Sequence, residues 1–169
     1  MRLRENALDA YRVDCERLIS AFGQTEDTGT ANTVAWTCAL APASTSDSDL
    51  IVRLAERAVA GSRNWYNLNT LGAVLYRAGR HADAINALQE GIKNHGRGGA
   101  AHDWLFLAMA HHALGHASEA QQWFDKAAQW IDQAINQKQS GEKVDPFYTW
   151  DHEIELRSLR QEAERVLRE

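Results

Sequence analysis

Residues 68–92 read LNTLGAVLYRAGRHADAINALQEGI, and residues 104–128 read WLFLAMAHHALGHASEAQQWFDKAA. Set against one another at a constant offset of 36 residues, Leu68 meets Trp104, Leu71 meets Leu107 and Gly72 meets Ala108. Further along, Gly79 meets Gly115, Ala84 meets Ala120, Leu88 meets Phe124 and Gly91 meets Ala127. The large residues of the first group lie one helical turn apart and form an apolar stripe. The small residues at 72, 84, 91, 108, 120 and 127 let a neighbouring helix come close. Gly79 and Gly115 supply a positive-φ position that ends one helix and reverses the chain. Each segment is therefore predicted to be a helix hairpin, and the chain uses that hairpin twice.

The flanks extend the pattern. Residues 48–64, SDLIVRLAERAVAGSRN, read as the second helix of a degenerate third unit with Ala55 and Ala58 at small positions. Its first helix is TANTVAWTCAL (30–40), joined by the polar loop APASTSDSD (41–49). Residues 3–22 form an amphipathic helix with Leu8, Tyr11, Cys15, Leu18, Ile19 and Phe22 on one face, ended by Gly23. After the repeats, Trp130, Ile131, Ala134 and Ile135 continue a helical stripe into the polar NQKQSGEKVDP (136–146). A last helix over 149–168 has Ile154, Leu156, Leu159, Ala163, Val166 and Leu167 as its apolar positions.

Composition narrows the function classes. The 169 residues are 44% hydrophobic and 24% charged with only two prolines, as expected of a helix-rich globular chain. A net charge of −5, with acids and bases interleaved, offers no positive stripe for a phosphate backbone, so nucleic acid is not an expected partner. Cys15 and Cys38 are the only cysteines, and they form no CxxC pair. They are expected to be buried thiols in a reducing cytosol. Charges run through MRLRENALDAYRVDCERLIS, leaving no apolar core for a secretory signal, and no window suits a membrane span. A cytoplasmic location without a membrane partner is the expectation.

The order large, small, turn glycine, small, large, small resembles the tetratricopeptide repeat, a helix–turn–helix unit of about 34 residues. The two additional residues of each period fall in the loop NHGRGG (94–99), where an insertion costs little. The final proline of the family pattern is missing from both units. The resemblance implies an all-α fold: about eight helices in a right-handed superhelix of stacked hairpins, with capping helices at both ends. It divides one domain, 1–169, into an N-terminal cap (3–27), a degenerate repeat (28–62), two repeats (63–99 and 100–137), a linker (138–148) and a C-terminal cap (149–169). The order WTCALAP (36–42), LAERAV (54–59), LNTLGAVLYRAGR (68–80), DWLFLAMAHHALGH (103–116) and WDHEIELRSLRQEAE (150–164) covers nearly the whole chain, and it resembles tetratricopeptide modules near the C-termini of large bacterial signalling proteins that also carry serine/threonine kinase or β-propeller domains. That similarity implies a scaffold or adaptor role.

Family geometry turns the second, fifth, ninth, twelfth and thirteenth residues of each first helix toward a concave groove. Carried over, these are Tyr66, Asn69, Ala73, Tyr76 and Arg77, then His102, Leu105, Met109, His112 and Ala113. The expected ligand is a peptide or partner helix. Tyr66, Tyr76, Leu105 and Met109 would give apolar contact, Asn69 would hold peptide backbone, and Arg77, His102 and His112 would favour acidic groups. The partner is then mildly acidic with an aromatic or aliphatic anchor. His111 takes the eleventh position, inside the helix pair. Ala73, Leu105 and Met109 stand where carboxylate-clamping members carry charge or amide, which argues against a chaperone-tail receptor.

Rival readings fare less well on the residues. His111 and His112 project about 100° apart on a helix and do not chelate one ion. His112 and His116 have the right spacing, but Gly115 ends the helix between them, and no HExxH arrangement is present. No GxSxG nucleophile turn or phosphate-cradling GxxxxGK[ST] occurs either. The expectation is therefore a non-enzyme without metal or cofactor. The alternative to a groove binder is a module that docks within its own parent chain or self-associates through the terminal helix. A metal-dependent enzyme using the histidines ranks below both. Trp104, Trp123 and Trp130 are read as packing residues, while Trp36, Trp65 and Trp150 sit near helix starts with partly exposed rings.

Overall fold

Eight α-helices and no strands make up the described part of this chain; the computed structural model describes residues 2–43, 47–144 and 149–169. The helices divide between two compact units, Met1–Gly98 and Gly99–Glu169, where the sequence suggested one continuous domain. The division falls in the NHGRGG loop, where Gly96, Gly98 and Gly99 all hold positive φ (72°, 83° and 88°).

The first unit contains α1 (Arg2–Phe22), α2 (Thr28–Ala39), α3 (Ser48–Gly61), α4 (Trp65–Arg77) and α5 (His81–His95). Three of these helices begin at a side-chain cap. Asp27 accepts from the Thr30 amide, Asp47 from Leu50 and Asn64 from Asn67, each satisfying one of the orphan amides of a first turn. Asn67 then reaches back, its Nδ2 donating to the carbonyls of Ala58 (3.0 Å) and Ser62 (2.8 Å), which fixes how α3 hands over to α4. Helix α4 packs on α2, α3 and α5.

The α4–α5 pair shows why the small residues are where they are. A Cβ placed on Gly72 of α4 would lie 2.4 Å from Leu88 Cγ of α5, and one placed on Gly91 of α5 would lie 3.2 Å from Leu68 Cβ of α4. Each helix therefore seats its large residue over the other's glycine. Leu68 and Leu88 are both fully buried. In the degenerate unit, Ala55 and Ala58 are likewise fully buried on α3.

The second unit contains α6 (Ala101–Ala113), α7 (Ala117–Ser140) and α8 (Trp150–Val166). Helix α6 is buried on every face from Ala101 to His111, as its uniformly apolar sequence requires. It packs on both α7 and α8. Helix α7 runs through Gln137 to Ser140, into the stretch expected to be linker, because those polar residues contain no breaker until Gly141 takes φ 74°. Residues 145–148 of that expected linker lie outside the described residues.

The hairpin repeat is present down to its hydrogen bonds. Helices α4 and α6 begin and end 36 residues apart, at 65 and 101 and at 77 and 113. In the first turn, Gly79 N donates to Tyr76 O and Arg80 N to Leu75 O; in the second, Gly115 N donates to His112 O and His116 N to His111 O. Gly79 and Gly115 hold φ 75° and 77°. Both are Schellman turns, in which the residue after the left-handed glycine returns to a carbonyl five residues back.

The end helices differ in part from their predicted faces. On α1, Cys15 is fully buried, and Tyr11, Leu18 and Ile19 are half-buried, but Leu8 and Phe22 are 47% and 45% exposed. On α8, Leu156, Leu159 and Ala163 are buried while Ile154 is 62% exposed. Ile154 is two residues from Leu156, about 200° around the helix, so one packing face cannot hold both.

Candidate functional site

The candidate residues fall on two helices of different units. On α4, Tyr66 is 47% exposed, Tyr76 and Arg77 are half-buried, and Asn69 and Ala73 are buried. The Tyr76 ring meets the His81 ring across the turn at 5.4 Å, and the Arg77 guanidinium lies over the Tyr76 ring at 5.4 Å. Arg77 Nε also donates to the Ala39 carbonyl at 2.7 Å. That places a cation on the last residue of α2, where helix carbonyls lack intrahelical partners. Arg77 therefore holds α2 to α4, a role the groove register did not assign it. Beside it, Cys38, Ala39, Ile51 and Val74 help line a cavity of about 50 Å³. Ligand pockets run to roughly 300–1,000 Å³, so this one takes water-sized contents at most.

On α6 the expected open face is closed. His102, Leu105 and Met109 were expected to line a groove, but Leu105 and Met109 are fully buried and His102 is 7% exposed. Helix α8 packs at the His102 end of this face. His102 Nε2 sits 3.2 Å from Glu155 Oε2, and its ring meets His152 edge-on at 5.3 Å. Leu105 and Met109 follow His102 along the same helical face. Ion pairs between Arg160 and Asp132 and between Lys138 and Glu153 fasten α8 to α7 as well. Of the α6 candidates only His112 is half-exposed, with Ala113 exposed at the helix end.

The histidines pair differently from the spacing argument. His111 is buried, as its register predicted, and its Nδ1 lies 3.3 Å from Nδ1 of His116, not of His112. The sequence did carry a signal for this. A Schellman turn brings the residue three before the helix end against the one after the glycine, and those positions are 111 and 116. One ring must donate and the other accept, so only one Nδ1 carries a proton. Among the described residues, no group of three or more His, Cys, Asp or Glu side chains could hold a metal ion.

This geometry makes stability depend on pH. Burial, and then the neighbouring His116, hold the His111 imidazole below its ordinary value of 6.5, against a smaller opposing pull from Glu119. The folded chain then binds fewer protons than the unfolded chain just below pH 6.5, so the contribution present above 6.5 is lost as pH falls. The urea midpoint should drop between pH 7.5 and 5.5, and H111Q should flatten that slope. Equal slopes in the two proteins would show that His111 is not the group responsible.

Among the tryptophans, Trp104 is 5% exposed, meets Trp130 edge-on at 6.5 Å and carries the Lys126 ammonium 4.3 Å above its ring. Burial lowers the Lys126 pKa. Trp36 and Trp65 are half-buried, and Trp65 packs edge-on against His95 at 4.6 Å. The ring of Trp150 lies outside the described residues. No described helix is long and apolar enough to cross a membrane. A scan against protein-family models and a search of curated proteins both return no match to this chain.

Proposed function

We propose that the chain is a tetratricopeptide-like interaction module, a superhelix of stacked hairpins that serves as the adaptor or regulatory part of a larger signalling protein. The observation that carries this reading is the recurrence, 36 residues apart, of the same helix bounds and the same pair of turn hydrogen bonds. A unit repeated at that level favours stacking, and stacked hairpins function as binding surfaces more readily than as catalytic clefts. The binding face is the α4 side of the first unit, with Tyr66 and Tyr76 as apolar contacts for a mildly acidic peptide or helix. Selecting a displayed peptide library on the purified protein tests it. Enriched peptides should bind about tenfold or more weakly to Y66A and Y76A, with melting temperatures preserved. Failure to enrich, or indifference to both substitutions, would end this assignment. Arg77 is unsuited to the test because it also caps α2.

A second reading, intramolecular docking, is favoured by one observation: α8 lies on the α6 face that the family register reserves for ligand. In that reading α8 is a resident occupant. A peptide that seats on α6 must displace it, so hydrogen exchange over 150–166 should rise on binding.

A further inference from the structure

Cys15 and Cys38 lie 23 positions apart in sequence, on helices that pack against each other. Cys15 is 0% and Cys38 2% exposed, and neither is in a disulfide. The two thiols and the Tyr11 hydroxyl are close enough to shift one another's ionisation. An independent contact sets the register: the Tyr11 hydroxyl, one turn before Cys15, donates to the carbonyl of Thr37, the residue before Cys38. That bond sets the turn of α1 carrying Cys15 beside the end of α2 carrying Cys38, and a disulfide there requires Cβ atoms that point toward each other.

We infer that Cys15 and Cys38 form a modification site, a dithiol that a hydroperoxide converts into a disulfide joining α1 to α2. While α1 is docked, burial raises both thiols above their ordinary range, Cys38 to about 12, so both stay protonated and shielded. Access comes from opening α1. Among the described helices α1 packs on α2 alone, and its contacts beyond its own helix include the Tyr11 bond and a 3.0 Å bond from Arg12 Nε to the Ala43 carbonyl. A helix that packs on a single neighbouring helix opens at a smaller cost than global unfolding. Once solvated, a thiol returns to a pKa of about 8.5 and supplies thiolate.

The chemistry balances in two steps. The thiolate of one cysteine attacks a peroxide oxygen, breaking the O–O bond to give a sulfenic acid and hydroxide. The second cysteine's thiolate attacks the sulfenic sulfur and expels hydroxide, which takes up a proton, forming the S–S bond. In sum, two thiols and one hydrogen peroxide give one disulfide and two waters.

The test exposes the native chain to hydrogen peroxide, quenches with catalase, then alkylates under denaturing conditions. The expected product has lost 2 Da, carries no alkyl label, and yields one peptide pair linked through residues 15 and 38. Its melting temperature should rise by about 5–10 °C, and reductant should reverse the rise. Y11F, which loosens α1, should form the bond about fivefold faster; an unchanged rate would reject the opening step. Full alkylation after peroxide, a disulfide-linked dimer, or sulfinic acid at either cysteine would overturn the proposal. C15S and C38S, which cannot close the bond, should show no peroxide-induced rise in melting temperature, and a rise in either would also overturn it.

Discussion

Replacing Phe106 with alanine should cost about 3–5 kcal/mol of stability, among the largest losses expected from truncating any described residue. Among the described residues Phe106 is the largest fully buried side chain, at the centre of a helix buried on all sides. Its removal forfeits the transfer free energy of the ring and leaves a void that packed neighbours fill only in part. Against a total stability of roughly 5–15 kcal/mol, this brings the protein close to unfolding at moderate temperature. Leu114 supplies the internal control: it is 40% exposed, so its truncation should change stability by about 0.5 kcal/mol or less. Urea unfolding of both variants checks the pair. A loss below about 1.5 kcal/mol at Phe106 would mean that α6 is less tightly packed than its burial indicates.

The second large effect is one where helix propensity predicts the wrong sign. Alanine is favoured over glycine inside a helix by about 1 kcal/mol, yet Gly72→Ala should destabilise by about 1–3 kcal/mol. The new methyl would meet Leu88 Cγ at 2.4 Å, Leu88 Cδ2 at 2.7 Å and the Ala84 carbonyl oxygen at 3.3 Å. Leu88 is fully buried and has no open side to move toward. Leu88→Ala alone should cost about 2–5 kcal/mol, and the double variant should cost clearly less than the sum, because the second change removes what the first collides with. Additive losses would place the clash elsewhere. A stabilised Gly72→Ala would show that α4 and α5 are farther apart than described. At the equivalent position of the second hairpin the chain carries Ala108, fully buried, so the requirement for glycine belongs to the Leu68–Gly91 and Leu88–Gly72 exchange of the first.

Much of the local architecture was legible without coordinates. The turn glycines 79 and 115, the offset of 36 residues and the small positions all follow from hydrogen bonds and side-chain spacing within about forty residues. Legibility failed where two apolar stripes of similar character competed for a partner. Nothing in the text of α6 distinguishes a face that waits for a peptide from one that receives α8. His102, Leu105 and Met109 read equally well as groove lining or as core; all three are buried, and His102 meets Glu155 of α8. Ile154 and Leu156 read alike as apolar positions of the last helix, and helical geometry leaves Ile154 outside once Leu156 is buried.

The histidines show the same boundary at finer scale. Spacing along one helix correctly separated His111 from His112, but the partner of His111 is reached around the turn, at His116. The amino-acid sequence by itself determined the helices, their caps and the repeated reversal, because those depend on backbone hydrogen bonds and φ preferences at nearby residues. Only the tertiary structure decided that α8 packs on α6, that Arg77 caps α2, and that Tyr11 of α1 reaches Thr37 beside Cys38. Those pairings join residues far apart in the chain, and burial rewards any complementary apolar surface without naming it in advance.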